Sequence, residues 1–221
     1  MRTNALPGFL PSRHGFAFVN RWPPGAAFEL KARYLRLGIG EVEEGLCGGM
    51  CYAAADRFLR AELVPPDSEA PLAGSALFRE IARRQFDSLH YLALVPARFW
   101  WTAARVASGR WSVVDQAREW RDLCADIDAG RPTMAGLVRS AGVNPLRLTA
   151  NHQVLGFGYE ASGAEGRLRI YDPNHPGADD VALLIRRVEG PAGRPSFSLE
   201  QTTGEPLLAL LRLPYRPPGR D

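Results

Sequence analysis

The sequence predicts an α+β protein in which helices come first and an antiparallel sheet follows, and three observations carry that prediction. Apolar residues recur at spacings of three and four between positions 46 and 129, the period of an amphipathic helix. From Gly130 onward the chain breaks into short runs rich in Val, Ile, Leu, Phe and Tyr, separated by Gly, Pro and Asp, which is the pattern of strands and turns. Because the two kinds of element are segregated, the strands are expected to pair antiparallel and not through βαβ units. The 221 residues suffice for one well-cored domain, and 46% hydrophobic with 23% charged residues is the composition of a folded chain.

Taken in order, residues 1–45 are rich in Gly and Pro, with one short strand expected at Gly15–Val19 and a charged GEVEEG run at 40–45. They read as a wrapping arm, not a separate domain. A helix is predicted from Leu46 to about Leu63, where Pro65 and Pro66 stop it. A second is predicted over Ser75–Leu89, and the aromatic stretch up to Ala107 continues helical. The clearest helix spans 111–129, where Val113, Ala117, Trp120, Cys124 and Ile127 form one apolar stripe. Cys124 lies on that stripe and is expected to be a buried small hydrophobe. Strands are then predicted at Thr133–Arg139, Gln153–Tyr159, Arg167–Tyr171, Val181–Val188, Phe197–Gln201 and Leu207–Leu213. The single domain thus divides into an arm (1–45), a helical part (46–129) and a sheet part (130–215).

Charge and cysteine usage narrow the function classes. The net charge is +3, carried almost wholly by scattered arginines with Lys31 as the one lysine, so the clustered basic stripe of a nucleic-acid binder is missing. Three cysteines, Cys47, Cys51 and Cys124, make an odd count without disulfide-framework spacing, which points to free thiols in a reducing compartment. The first residues lack an apolar h-region, and the most apolar stretch, 89–107, is interrupted by Pro96, Arg98 and Arg105. No membrane span is expected. A cytoplasmic protein, or an effector exported by a non-Sec route, fits these features.

Chemistry concentrates in three segments. Cys47 opens the helical run GLCGGMCYAAADRFL, where unpaired backbone N–H groups stabilise a thiolate and lower its pKa from about 8.5. A thiol nucleophile needs a base and a group that fixes the base's tautomer. His152 begins the strand HQVLGFGY and Asp172 ends the strand LRIYD. If these strands pair around Ser162 and Gly163, the histidine and the aspartate become neighbours. Cys51, one helical turn after Cys47, is expected to pack beneath the site. His175, in the turn DPNHPG, is expected on the solvent side. Cys47, Cys51, His152 and His175 are also four possible zinc ligands, but the pairs lack the tight spacing of a structural zinc site, and no metal is expected.

The order of these motifs resembles the papain-like cysteine peptidase superfamily, nearest to its bacteriocin-leader-processing (double-glycine) peptidase branch. Cys47-Gly48-Gly49-Met50 matches the motif that opens the nucleophile helix there, His152-Gln153-Val154-Leu155-Gly156 the histidine strand, and Asp172-Pro173 the orienting pair. The resemblance spans about residues 40–175. It implies a papain-like fold with the central nucleophile helix packed on a C-terminal sheet. It also implies a thiol hydrolase without cofactor that cleaves a peptide, isopeptide or amide bond in a peptide or protein substrate. One position departs: such enzymes carry a glutamine six residues before the cysteine as oxyanion donor, and here that residue is Glu41. An ionised carboxylate has no proton to give. Asn20, Asn151 or the backbone of Gly48 could supply the donor instead. A catalytically inactive papain-like domain that binds a peptide or protein partner, and a transglutaminase- or acyltransferase-like thiol enzyme, are the alternatives.

Overall fold

The most apolar strands take the middle of the sheet. In the structure, a computed structural model, β5 (His152–Ser162) is buried over its first eight residues and β4 (Thr133–Val138) throughout. All residues are described except 23–25, 33–34, 42–44, 90–93, 143, 145–149, 191–192 and 218–221, and for 26–32 and 35–41 only the backbone is described. Around β5 and β4 lie β6 (Glu165–Tyr171), β7 (Ala182–Glu189), β8 (Pro195–Gln201) and β9 (Ala209–Leu213), in the order β8-β7-β6-β5-β4-β9, every pair antiparallel. A separate hairpin joins β2 (Ala26–Ala32) to β3 (Leu35–Glu41). The architecture is α+β, as the sequence predicts.

The arm differs from the expectation. Gly15–Val19 is not a strand; a short helix, α1 (Pro11–His14), precedes it, and Phe16 and Phe18 are buried anchors, with Phe18 edge-on to Trp22. The arm instead carries three strands the sequence does not predict: β2 and β3, which form the hairpin, and β1 (Arg2–Ala5), which pairs with β5 at Gly158–Ala161. A bulge makes room for it. The β5–β6 register shifts between Gly156 and Gly158, so Phe157 is an extra residue facing one layer while Tyr159 turns to the other. Before the bulge β5 pairs with β4, and after it with β1.

Each sheet face buries one layer of helix. On one side α2 (Cys47–Leu59), α3 (Ala76–Ser88) and α4 (Leu94–Ala107) share a core with Leu155, Phe157, Tyr171, Leu211 and Leu213. Each fully buried side chain such as Met50 or Ile81 contributes about 1.5–3 kcal/mol. On the other side Leu123, Cys124 and Ile127 of α5 (Val113–Asp128) pack on Val154, Leu168, Ile170 and Leu183. Cys124 is buried, as expected from its stripe. That stripe, however, is rotated: the buried face of α5 also carries Gln116 and Glu119, while Val113, Ala117 and Trp120 are only half-buried.

Those two polar residues protect a sheet edge. Gln116 Oε1 accepts the Leu210 N–H at 3.1 Å and its Nε2 donates to Leu210 O at 3.4 Å, while Glu119 accepts the Arg212 N–H at 2.6 Å. The side chains do for β9 what a neighbouring strand would do, which leaves no open ladder there. Helix ends follow local rules. Ser75 caps α3 by accepting the Phe78 N–H, and Ser112 with Asp115 forms a capping box on α5. The second helix ends at Leu59, four residues earlier than expected, in a turn where Ala61 takes a positive φ.

Candidate active site

One end of the sheet gathers the polar residues. Because the strands are antiparallel, the start of β5, the end of β6, the end of β8 and the residue after β4 all fall on the same side: His152, Asp172, Gln201 and Arg139. The N-terminus of α2, carrying Cys47, comes to this end. It does so because Gly48 and Gly49 let α2 approach its neighbours: a Cβ on Gly48 would lie 2.2 Å from Ser88 Oγ, and one on Gly49 2.2 Å from Ile81 O. The GG pair is therefore a packing requirement of the site.

His152 Nε2 and Asp172 Oδ1 are 2.6 Å apart and almost fully buried. Asp172 also accepts the Asn174 N–H on Oδ1 at 2.9 Å and Gln201 Nε2 on Oδ2 at 2.7 Å. With Nε2 committed to the carboxylate, Nδ1 is the ring nitrogen left for Cys47, whose half-buried thiol is hydrogen-bonded to His152. The three residues singled out from sequence thus meet in the order Cys47, His152, Asp172.

Electrostatics pull the three together. Burial opposes ionisation of Cys47, but the charge and hydrogen bond of His152, with the N–H groups of Gln153 and Gly48, outweigh it and bring the thiol below its ordinary value. Burial likewise opposes a charged His152, yet the Cys47 and Asp172 partners raise it to about 9. Asp172, despite burial, is held ionised at about 2 by His152, the Asn174 N–H and Gln201. The combination favours a thiolate beside an imidazolium. Cys51 is the opposite case: wholly buried, its thiol contacts Gln153 O at 3.5 Å, and burial with the nearby Cys47 and Asp172 charges pushes it well up. It packs beneath the site, as expected. Cys124 is pushed up to about 12 by burial.

The entrance to α2 is organised by Asn20. Leu46, the N-cap, supplies no side-chain bond, so the first N–H groups need outside partners. Asn20 Oδ1 accepts the Leu46 N–H at 2.7 Å and Trp22 Nε1 at 3.0 Å, and Gln85 Oε1 accepts the Gly49 N–H at 2.7 Å. Gly48 N–H faces the Cys47 sulfur. Between them, the Cys47 N–H has no acceptor among the described residues. Asn20 Nδ2 reaches Asn174 Oδ1 at 3.3 Å, and Gly45, at φ +91°, passes close to that same amide nitrogen.

Other expected residues fall as follows. Asn151 precedes His152, accepts the Arg139 N–H on Oδ1 at 3.2 Å, and has its Nδ2 buried without a partner among the described residues. Glu41 ends β3, and its side chain lies outside the described residues. His175 is half-buried, not fully on the solvent side, because its Nε2 pairs with Glu205 at 2.6 Å. The four residues weighed as zinc ligands divide accordingly: Cys47 and His152 engage each other, Cys51 lies beneath, and His175 turns to Glu205. Among the described residues no group of three or more His, Cys, Asp or Glu is placed to hold a metal ion, and no helix is long and apolar enough to cross a membrane. Gln201 and Arg139 carry no sequence signal; only the sheet register brings them here. Compared with known family models, with the curated proteins and with the solved structures, the chain matches none.

Proposed function

We propose that this protein is a papain-like thiol hydrolase that cleaves a peptide, isopeptide or amide bond. The observation that carries the reading is the buried 2.6 Å contact of His152 Nε2 with Asp172, with Cys47 hydrogen-bonded to the same ring. Cys47 attacks the carbonyl carbon as a thiolate, and the carbonyl electrons move to oxygen. His152 gives its proton to the leaving nitrogen as the C–N bond breaks, then takes one from water as the thioester is hydrolysed. Asp172 holds the ring and stabilises its charged form. The oxyanion is met by the Cys47 N–H and by the Asn20 amide, a donor that the carboxylate at Glu41 does not supply.

A peptide- or protein-binding domain without turnover is the second reading, and Glu41 in place of the glutamine favours it. Iodoacetamide labelling separates the two. In the hydrolase Cys47 is alkylated at least ten-fold faster than Cys124, and His152→Ala removes the difference; equal slow labelling of all three cysteines defeats the hydrolase. Incubation with an added primary amine then tells hydrolysis from acyl transfer by the product formed.

A further inference from the structure

We propose that Gln201, oriented by Arg139, is a positioning residue that holds the Asp172 carboxylate and, through it, the His152 ring. The proposal rests on the thiol-hydrolase reading. Asp172 and Gln201 are each only 1% exposed, so the carboxylate cannot turn to water, and an oxygen left without a donor there is costly. Oδ1 is occupied by His152 and the Asn174 N–H, and Oδ2 accepts from Gln201 Nε2 at 2.7 Å. With all three donors in place, the plane of the carboxylate is set. So is the position of Oδ1 under the imidazole.

The amide itself has a single workable orientation. Arg139 Nη2 donates to Gln201 Oε1 at 2.8 Å, and a guanidinium can only donate. An ionised carboxylate can only accept, so Nε2 must face Asp172 and Oε1 must face Arg139. The flipped amide would set oxygen against carboxylate and N–H against guanidinium. Arg139 is itself tied back, its N–H donating to Oδ1 of Asn151, the residue before His152. A closed ring of contacts therefore runs from His152 to Asp172, Gln201, Arg139 and Asn151, joining the ends of β4, β5, β6 and β8. Gln201 reaches across β7 because β8 ends opposite Leu183, at the beginning of that strand. Among the described residues, Tyr171 at the end of β6 and Cys51 of α2 also feel the Asp172 charge; both are buried neutral groups.

The experiment is the pH profile of Cys47 alkylation by iodoacetamide in the full chain, read by peptide mass spectrometry. Gln201→Leu keeps the bulk and removes the donor, and should move the acid limb up by about one pH unit, a ten-fold loss of reactive thiolate at fixed acid pH. Gln201→Glu, whose buried carboxyl must hold a proton beside the ionised Asp172 and so donates in place of the amide, should move it less. Arg139→Met, which frees the amide to flip, should move it in the same direction by less. An acid limb unchanged in folded Gln201→Leu overturns the proposal. Should that variant show no cooperative thermal transition, an unchanged profile in Arg139→Met overturns it equally. An NMR titration of the His152 ring keeps this test independent of thiol reactivity: it should fall by about one unit in Gln201→Leu, and an unmoved titration counts against positioning. Wild-type Cys47 labelling no faster than Cys124 is a separate outcome that defeats the hydrolase reading.

Discussion

Asn20 Oδ1 accepts the backbone N–H of Leu46 at 2.7 Å, so a residue of the arm holds the amide that immediately precedes Cys47. The same oxygen takes Trp22 Nε1, and the Asn20 N–H donates to Pro173 O at 3.0 Å. The arm, the start of α2 and the Asp-Pro turn are thereby locked to one side chain.

Asn20→Ala leaves the Leu46 N–H and the Trp22 indole without their acceptor and should cost about 2 kcal/mol, or roughly 4–8 °C in Tm. Asn20→Asp keeps the acceptor and loses the Nδ2 donor. Calorimetry should find Asn20→Asp closer to wild type in Tm, while hydrolysis by it falls as far as in Asn20→Ala; activity that instead tracks Tm would deny Asn20 a part in holding the oxyanion.

Asp172→Asn should be the strongest single perturbation of the site short of losing Cys47 or His152. The carboxylate charge holds His152 up at about 9 and so helps hold Cys47 down. Without it the histidine falls, the thiol rises, and labelling of Cys47 between pH 5 and 6 should drop by about ten-fold or more. The signs also reach stability. The depressed Asp172 contributes stability above about pH 4 that is lost as pH falls through about 2. The raised His152 contributes stability below about pH 6.5 that is lost as pH rises through about 9. The lowered Cys47 thiol runs the other way, gaining stability as pH rises toward its ordinary value, and offsets the His152 loss. Thermal melts from pH 6 down to 2 should therefore show the acid decline in wild type and a weaker one in Asp172→Asn.

Gly49→Ala should destabilise by about 3 kcal/mol or more, since the new methyl meets Ile81 O at 2.2 Å and Gln85 N at 2.9 Å, both backbone atoms of α3. Gly163→Ala is the control: its φ is +56° but the space around it is open, so only the backbone conformation resists, about 1 kcal/mol. Urea unfolding of the two variants should separate them by roughly that difference, and equal midpoints would refute the close approach of α2 to α3.

Gln116→Ala should cost about 2 kcal/mol by stripping the Leu210 N–H and the Trp111 indole of their shared acceptor, without slowing Cys47 labelling. A loss of labelling in the folded variant would show that the β9 edge communicates with the site.

Local pattern made much of the molecule legible. The helix opening at Cys47, the helix from Ser75 and the hairpin around Ser162 and Gly163 depend on neighbours a few residues apart, and beyond residue 45 the expected elements differ from the observed ones mainly at their ends; α1, β1 and the β2–β3 hairpin of the arm are not expected. Three features were not legible. Gly15–Val19 alternates like a strand, but Phe16 and Phe18 are drawn into the core as single anchors while β1 takes the free length of β5 beyond its bulge. The apolar stripe on α5 looked complete without Gln116 and Glu119, because a polar residue on a buried face makes sense only once β9 supplies the backbone groups it satisfies. Asn20 is one of several candidate donors by sequence, and only the tertiary structure shows that its Oδ1 accepts the Leu46 N–H next to Cys47.

By itself the sequence determined the kinds of element beyond residue 45 and their order, and it singled out Cys47, His152 and Asp172 as the residues to weigh as nucleophile, base and orienter, since periodicity and turn residues act over a few positions along the chain. Tertiary structure decided how those three meet and what supports them. Antiparallel register puts the ends of β4, β5, β6 and β8 together, and so brings Arg139 and Gln201, 62 positions apart, into one hydrogen bond beside Asp172. No local rule encodes that bond, because its partners are chosen by strand order and by the shortage of donors around a buried carboxylate.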